Sequence, residues 1–157
     1  MGTRLHEKKS MRVGMKECLQ IREKGEKMED KLLIKIAMEA REKSYSPYSK
    51  YKVGAAVYTR SGKVFTGCNI ESASYTPTIC AERVAVSKCI SEGYMDIDTI
   101  AVVGSEIKTS FPCGVCRQFM SEFGKDIKVI CARNIDSYDV YTLEELLPNS
   151  FGPDDLD

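Results

Sequence analysis

Cys113 and Cys116 stand three positions apart in the stretch Pro112-Cys113-Gly114-Val115-Cys116-Arg117-Gln118, and well upstream lies Cys80-Ala81-Glu82. Side chains three apart share one side of a helical turn, so the first pair can present both sulfurs together. Cys80 can join them only through the fold. Three thiolates suit a tetrahedral Zn²⁺ whose fourth position is left to water, and a carboxylate beside such a centre is the natural carrier of that water's protons. Glu82 lies two residues beyond Cys80, off the face that Cys80 occupies, which makes it a poor fourth ligand and a good proton carrier.

Two other arrangements use a Cys-x-x-Cys pair. A structural zinc ribbon needs a second pair to close four ligands, and only Cys80 offers itself here. A thioredoxin-like redox pair follows the first strand of a βαβ unit and has no use for Cys80-Ala81-Glu82. The open three-cysteine site therefore leads. Its three thiolates leave a net negative centre, which weakens the acidity of bound water. Helix N-termini at Cys80 and Cys113 can offset that charge, as can Arg83 or Arg117 hydrogen-bonded to sulfur, with Arg83 the preferred candidate.

The elements that must position these residues follow from periodicity. Leu32, Leu33, Ile36, Ala37 and Ala40 recur at helical spacing up to about Lys43, and Ser44–Ser49 with Pro47 breaks the pattern. Residues 53–59 and 63–68 read as two strands of a hairpin. A helix is predicted from about 79 to 92 with Gly93 as its stop, then a doubly buried strand over 98–104. A third helix opens at Pro112-Cys113 and runs to about Phe123. Residues 127–132 form a further buried strand, 139–141 a short edge strand, and 142–147 a helical turn with Glu145 at the capping-box position. The tail 148–153, rich in Pro and Gly, is expected to be irregular. The pattern predicts an α/β fold, a three-layer α/β/α sandwich around a mixed sheet of about five strands, with right-handed crossovers in its parallel part.

Composition narrows the class. The 157 residues carry 23 Lys+Arg and 23 Asp+Glu, so the formal net charge is zero. That balance argues against a nucleic-acid binder relying on phosphate neutralisation, and equally against an anionic-membrane binder. No stretch has the roughly 20 apolar residues of a membrane helix. Residues 1–27 hold eight basic side chains against four acidic ones and the only histidine, His6. They read as a charged, flexible extension, neither signal nor transit peptide, ahead of a domain spanning 28–157. Seven cysteines, an odd number, point to a reducing cytoplasm and not to a disulfide framework. Cys68, Cys89 and Cys131 sit in apolar runs and are expected to be small buried hydrophobes.

Together, Cys80-Ala81-Glu82-Arg83 and Pro112–Gln118 resemble the zinc cytidine deaminases. Cysteine in place of histidine before Ala-Glu is similar to the small, homotetrameric, free-nucleoside branch. The resemblance covers about residues 30–157. It implies one Zn²⁺ per subunit, held by Cys80, Cys113 and Cys116, with Glu82 as the catalytic acid–base. The substrates would be cytidine and deoxycytidine, converted to uridine and deoxyuridine plus ammonia in pyrimidine salvage.

Tyr48-Ser49-Lys50-Tyr51 resembles the family segment whose aromatic packs against the pyrimidine, a role that falls to Tyr51. Asn69-Ile70-Glu71-Ser72-Ala73-Ser74-Tyr75 resembles the nucleoside-binding segment. This implies ribose contacts for Asn69 and Glu71 and places Ala73 and Tyr75 in the pocket. The backbone of Ala81 is implied as a contact to the base carbonyl, and Phe151 as a lid reaching a neighbouring subunit's site. Ser72, Lys52 and Thr76-Pro77-Thr78 depart from the family pattern, and Tyr51 is often Phe elsewhere. These departures bear on fine specificity and leave the metal ligands and Glu82 intact.

Overall fold

The computed structural model describes residues 28–156. Its first helix, α1 (Asp30–Arg41), buries Leu33, Ile34, Ile36, Ala37 and Ala40 along one stripe, as the helical spacing predicts. The hairpin strands are β1 (Gly54–Thr59) and β2 (Val64–Cys68), followed by α2 (Ala81–Ser91) and β3 (Ile97–Val103). Then come α3 (Gly114–Ser121), β4 (Lys128–Asn134), β5 (Ser137–Thr142) and a single turn, α4 (Leu143–Leu146). Gly93, at φ +90, ends α2 in the left-handed conformation that glycine adopts without strain.

The five strands form one sheet in the order β2-β1-β3-β4-β5. Pairing is antiparallel except between β3 and β4, which run parallel with α3 as their crossover. Successive strand residues point to opposite faces, and the core divides accordingly. Ala56, Ala101, Val103, Ile130 and Ala132 pack against α1. Ala55, Val57, Ile100, Val102, Val129 and Cys131 share the other core cluster with Ala85 and Val86 of α2, Met120 of α3 and Leu143 of α4. The central strands β3 and β4 are covered on both faces, which explains their continuous apolar run. Each fully buried Leu or Ile in these layers contributes about 1.5–3 kcal/mol.

Both helices that carry metal-ligand candidates lie on the second face. Gly67 of β2 lets α2 approach closely: a Cβ there would sit 2.3 Å from the Ala81 carbonyl oxygen and 2.6 Å from the Ala85 nitrogen. Gly54 plays the same part for α1, where a Cβ would lie 2.0 Å from the Ala37 carbonyl oxygen.

Several expectations are adjusted. The edge strand β5 is six residues long, double the span that the sequence suggested, because backbone pairing to β4 extends it through polar positions. A 3₁₀ turn, Pro153–Asp155, closes the tail. Cys68 is only half-buried, its thiol directed at the Lys43 carbonyl, so it is not the core residue expected. Residues 1–27, with Cys18 and His6, lie outside the described residues. Among those that are described, no helix is long and apolar enough to cross a membrane.

Candidate active site

Cys80 and Cys113 are the N-cap residues of α2 and α3, each in extended conformation at the mouth of its helix. Neither side chain caps its own helix, so both sulfurs are free to face a common point. Cys116, one turn into α3, is fully buried beneath them. The Cys80 and Cys113 sulfurs are 3.7 Å apart and the Cys113 and Cys116 sulfurs 3.5 Å. All three lie within 4.8 Å of one another and form the one cluster among the described residues able to hold a metal ion. A tetrahedral zinc with Zn–S bonds of about 2.3 Å requires sulfur separations of about 3.8 Å. The triangle therefore fits a single Zn²⁺, and the first-turn N–H groups of two helices direct positive potential toward the thiolates.

Glu82 belongs to α2's first turn and is 3 % exposed. Burial pushes its carboxyl up to about 7, against an ordinary value of 4.5. A carboxyl titrating near neutrality can both accept and return a proton. The Cys80 thiol is held down to about 5 by hydrogen bonding to the Cys116 thiol, with the Arg83 guanidinium adding to the effect. Cys116 is correspondingly pushed up, because the first negative charge settles on its neighbour. Burial raises Cys89 to about 11 and Cys131 to about 12, so these two thiols stay protonated and chemically quiet.

The fold separates the two arginines that sequence leaves as alternatives. Arg83 Nη2 lies 3.8 Å from Cys80 Sγ and 3.5 Å from the Thr78 carbonyl. Its buried Nε has no hydrogen-bond partner among the described residues. Arg117 instead donates to the Pro112 and Leu146 carbonyls, 2.8 Å each, tying the start of α3 to the C-terminal segment. Of the two guanidinium groups, only that of Arg83 reaches a cysteine sulfur.

The segment with Asn69 and Glu71 is brought to the metal ligands by backbone pairing. Ile70 and Ile79 exchange two hydrogen bonds of 3.0 Å, directly before Cys80, and Ile70 also bridges Tyr45. The Asn69 amide donates to the Tyr51 carbonyl at 2.8 Å, while its oxygen accepts from the Val53 N–H at 2.8 Å and from the Ser44 hydroxyl. Both oxygen lone pairs are taken, leaving one N–H for a ligand. The Glu71 carboxylate accepts from the Tyr48 N–H at 2.9 Å, the Ser49 N–H at 3.2 Å and the Ser49 hydroxyl. The Ser49 hydroxyl is foremost in holding Glu71 below the usual carboxylate value.

Ala73 and Tyr75 lie on an exposed loop, with Tyr75 at φ +60, and they turn outward in the single chain. Ala81 is fully buried as the first residue of α2. Phe151 is 57 % exposed, its carbonyl held at 2.8 Å by the Gln118 side chain. Ser44 and Ser49, which clamp Asn69 and Glu71, were not singled out from the sequence. Nothing in their local pattern distinguishes them from ordinary turn serines.

A buried carboxylate beside a triangle of cysteines on two helix N-termini, set on this sheet, defines a zinc-dependent hydrolase of the deaminase class. The chain belongs to the family described as the cytidine and deoxycytidylate deaminase zinc-binding region, whose model matches residues 27–132. It is 45 % identical over 130 residues to a cytidine deaminase of Halalkalibacterium halodurans, covering 82 % of this chain and 98 % of that one. A probable cytidine deaminase of Dictyostelium discoideum is 45 % identical over 125 residues, 78 % of this chain and 84 % of the relative. Among solved structures, the cytidine deaminase of Burkholderia pseudomallei superimposes with a TM-score of 0.75 at 45 % identity, over 79 % of this chain and all of that one.

Proposed function

We propose that this chain hydrolyses the exocyclic amine of cytidine and deoxycytidine, giving uridine or deoxyuridine and ammonia. The observation that carries this reading is the Glu82 carboxyl, buried at the start of α2 two residues beyond the ligand candidate Cys80 and beside the cysteine cluster. Cys80, Cys113 and Cys116 would hold a zinc ion, which would supply Lewis-acid activation of the attacking water. Glu82 takes one proton from that water and delivers it to ring N3, which makes C4 electrophilic. Once the new C4–O bond has formed, Glu82 carries the remaining hydroxyl proton to the amine. The C4–N4 bond then breaks, ammonia leaves and the carbonyl forms. The N–H groups at the start of α2, from Ala81 onward, are assigned to the base carbonyl.

Glu71 and the remaining Asn69 N–H are assigned to the sugar hydroxyls, and the Tyr51 ring to the face of the pyrimidine. Arg83 balances the thiolate charge. Ala73 and Tyr75 would complete the pocket only beside a second copy. The active form is proposed to be a homotetramer, with Phe151 of one subunit covering the base bound in another. Phe151 is 57 % exposed in the single chain, which leaves its ring available to a neighbouring subunit. The activity fits salvage of free pyrimidine nucleosides in the cytoplasm. Residues 28–157 are assigned as the catalytic domain and 1–27 as its extension.

The test is turnover of cytidine, deoxycytidine, cytosine and deoxycytidine monophosphate by the zinc-loaded full chain, followed by the absorbance change on deamination. The two nucleosides should react and the free base should not. A chain that holds zinc and leaves both nucleosides untouched would overturn the proposal.

A further inference from the structure

The loop from Gly104 to Pro112 leads directly into the ligand Cys113, and it is fastened at several points by residues distant in sequence. Arg41 of α1 donates to the Gly104 carbonyl at 2.8 Å and to the Glu106 carboxylate at 3.0 Å. The Tyr51 hydroxyl accepts from the Ser105 N–H at 3.2 Å and shares a 3.1 Å hydrogen bond with the Ser110 hydroxyl. Ser110 is buried, and its own N–H reaches the Ala132 carbonyl at the end of β4. These bonds close tightly over Gly104. A Cβ at that position would lie 2.5 Å from both the Ser110 and the Tyr51 hydroxyl oxygens.

Tyr51 is itself fixed from its backbone side. Its N–H donates to the Ser49 hydroxyl at 3.0 Å, and its carbonyl accepts from Asn69. Ser49 in turn is bonded to Glu71. Tyr51 thus spans two groups of residues: its main chain holds Asn69 and Ser49, which bonds Glu71, and its hydroxyl holds the loop carrying Cys113. A phenylalanine ring would fill the same space but could not join them.

We propose that the Tyr51 hydroxyl is a positioning group that latches the Ser105–Ser110 loop and so fixes Cys113 for metal binding. This inference rests on the reading that zinc is held by Cys80, Cys113 and Cys116. Its consequence is that the loop's hold on the metal depends on two hydroxyls, Tyr51 and Ser110, acting as a pair.

The experiment is zinc release from the loaded full chain to excess chromophoric chelator, for wild type, Tyr51→Phe, Ser110→Ala and the double variant. Ser110→Ala should speed release about fivefold, the worth of one neutral hydrogen bond, and Tyr51→Phe, which loses two, at least as much. The double variant should release no faster than Tyr51→Phe alone, because that substitution already removes the contact to Ser110 along with the one to Ser105. Ile34→Val, which loosens the α1 face of the sheet, serves as comparison. It should lower the melting temperature without changing release. Singles within twofold of wild type, singles that multiply in the double variant, or equal acceleration by Ile34→Val would each overturn the latch. No substrate enters this assay, so its failure is distinct from failure of the proposed deamination, which would appear as zinc-loaded wild type without turnover.

Discussion

Gly67→Ala tests how α2, the helix that presents Cys80 and Glu82, is seated. The added Cβ would lie 2.3 Å from the Ala81 carbonyl oxygen and 2.6 Å from the Ala85 nitrogen, both main-chain atoms of the helix. Backbone cannot swing aside as a flexible side chain would, so α2 must retreat from β2 by about 1 Å to restore ordinary contact. Overpacking of this kind costs about 1–3 kcal/mol. The gain from restricting the unfolded chain, about 0.4–1 kcal/mol, does not cancel it. At about 2–4 °C per kcal/mol for a chain of this size, the melting temperature should fall by several degrees. The larger effect is on chemistry. Cys80 and Glu82 flank the displaced carbonyl, whereas Cys113 and Cys116 ride on α3 and stay in place. A shift of about 1 Å between them should lower kcat/KM about 10²-fold. Thermal melting by circular dichroism and cytidine turnover at full zinc loading measure the two effects. A variant matching wild type in both would refute the claim that direct backbone contact seats this helix.

Three further substitutions probe the site. Arg83→Gln should leave the fold intact and shift the basic limb of the pH–rate profile, since the thiolates lose their compensating charge; an unchanged profile would return Arg83 to a structural role. Phe151→Ala should raise KM or weaken assembly while zinc content holds, as steady-state kinetics and sedimentation would register; no change in either would leave the ring packing only on its own chain. Glu82→Gln bears on stability as well as rate. The folded carboxyl titrates near 7, above its ordinary 4.5, so its contribution is fully present below about 4.5 and is lost as pH rises through 7. In zinc-free protein the stability gap in favour of the Gln variant should therefore widen by about 3 kcal/mol between pH 4 and pH 8. A gap independent of pH in urea titrations would show that Glu82 is not desolvated.

The metal centre was legible in the sequence because its parts are local. Cys113 and Cys116 share a helical turn, Cys80 and Glu82 share another, and apolar periodicity placed both pairs at the start of helices. Thr142 and Glu145 likewise announced their capping box, which the structure contains. What could not be read depends on contacts between distant segments. Arg83 and Arg117 look equivalent until the fold directs one to sulfur and the other to the Pro112 and Leu146 carbonyls. Asn69 reads as a ligand-binding amide, yet most of its capacity goes to Tyr51, Val53 and Ser44. Serines 49, 105 and 110 carry no signal of type or spacing, and their partners lie far along the chain. The length of β5 followed from pairing with β4 and not from its own hydropathy.

The most direct measurement compares zinc-loaded wild type with Glu82→Gln, with zinc content and the conversion of cytidine to uridine determined on the same samples. Both proteins should hold one zinc per chain, and the variant should be slower by at least about 10²-fold, the contribution of a positioned acid–base group. Wild-type turnover by a fully zinc-loaded Gln variant would contradict the assignment of Glu82 as the proton carrier at this centre.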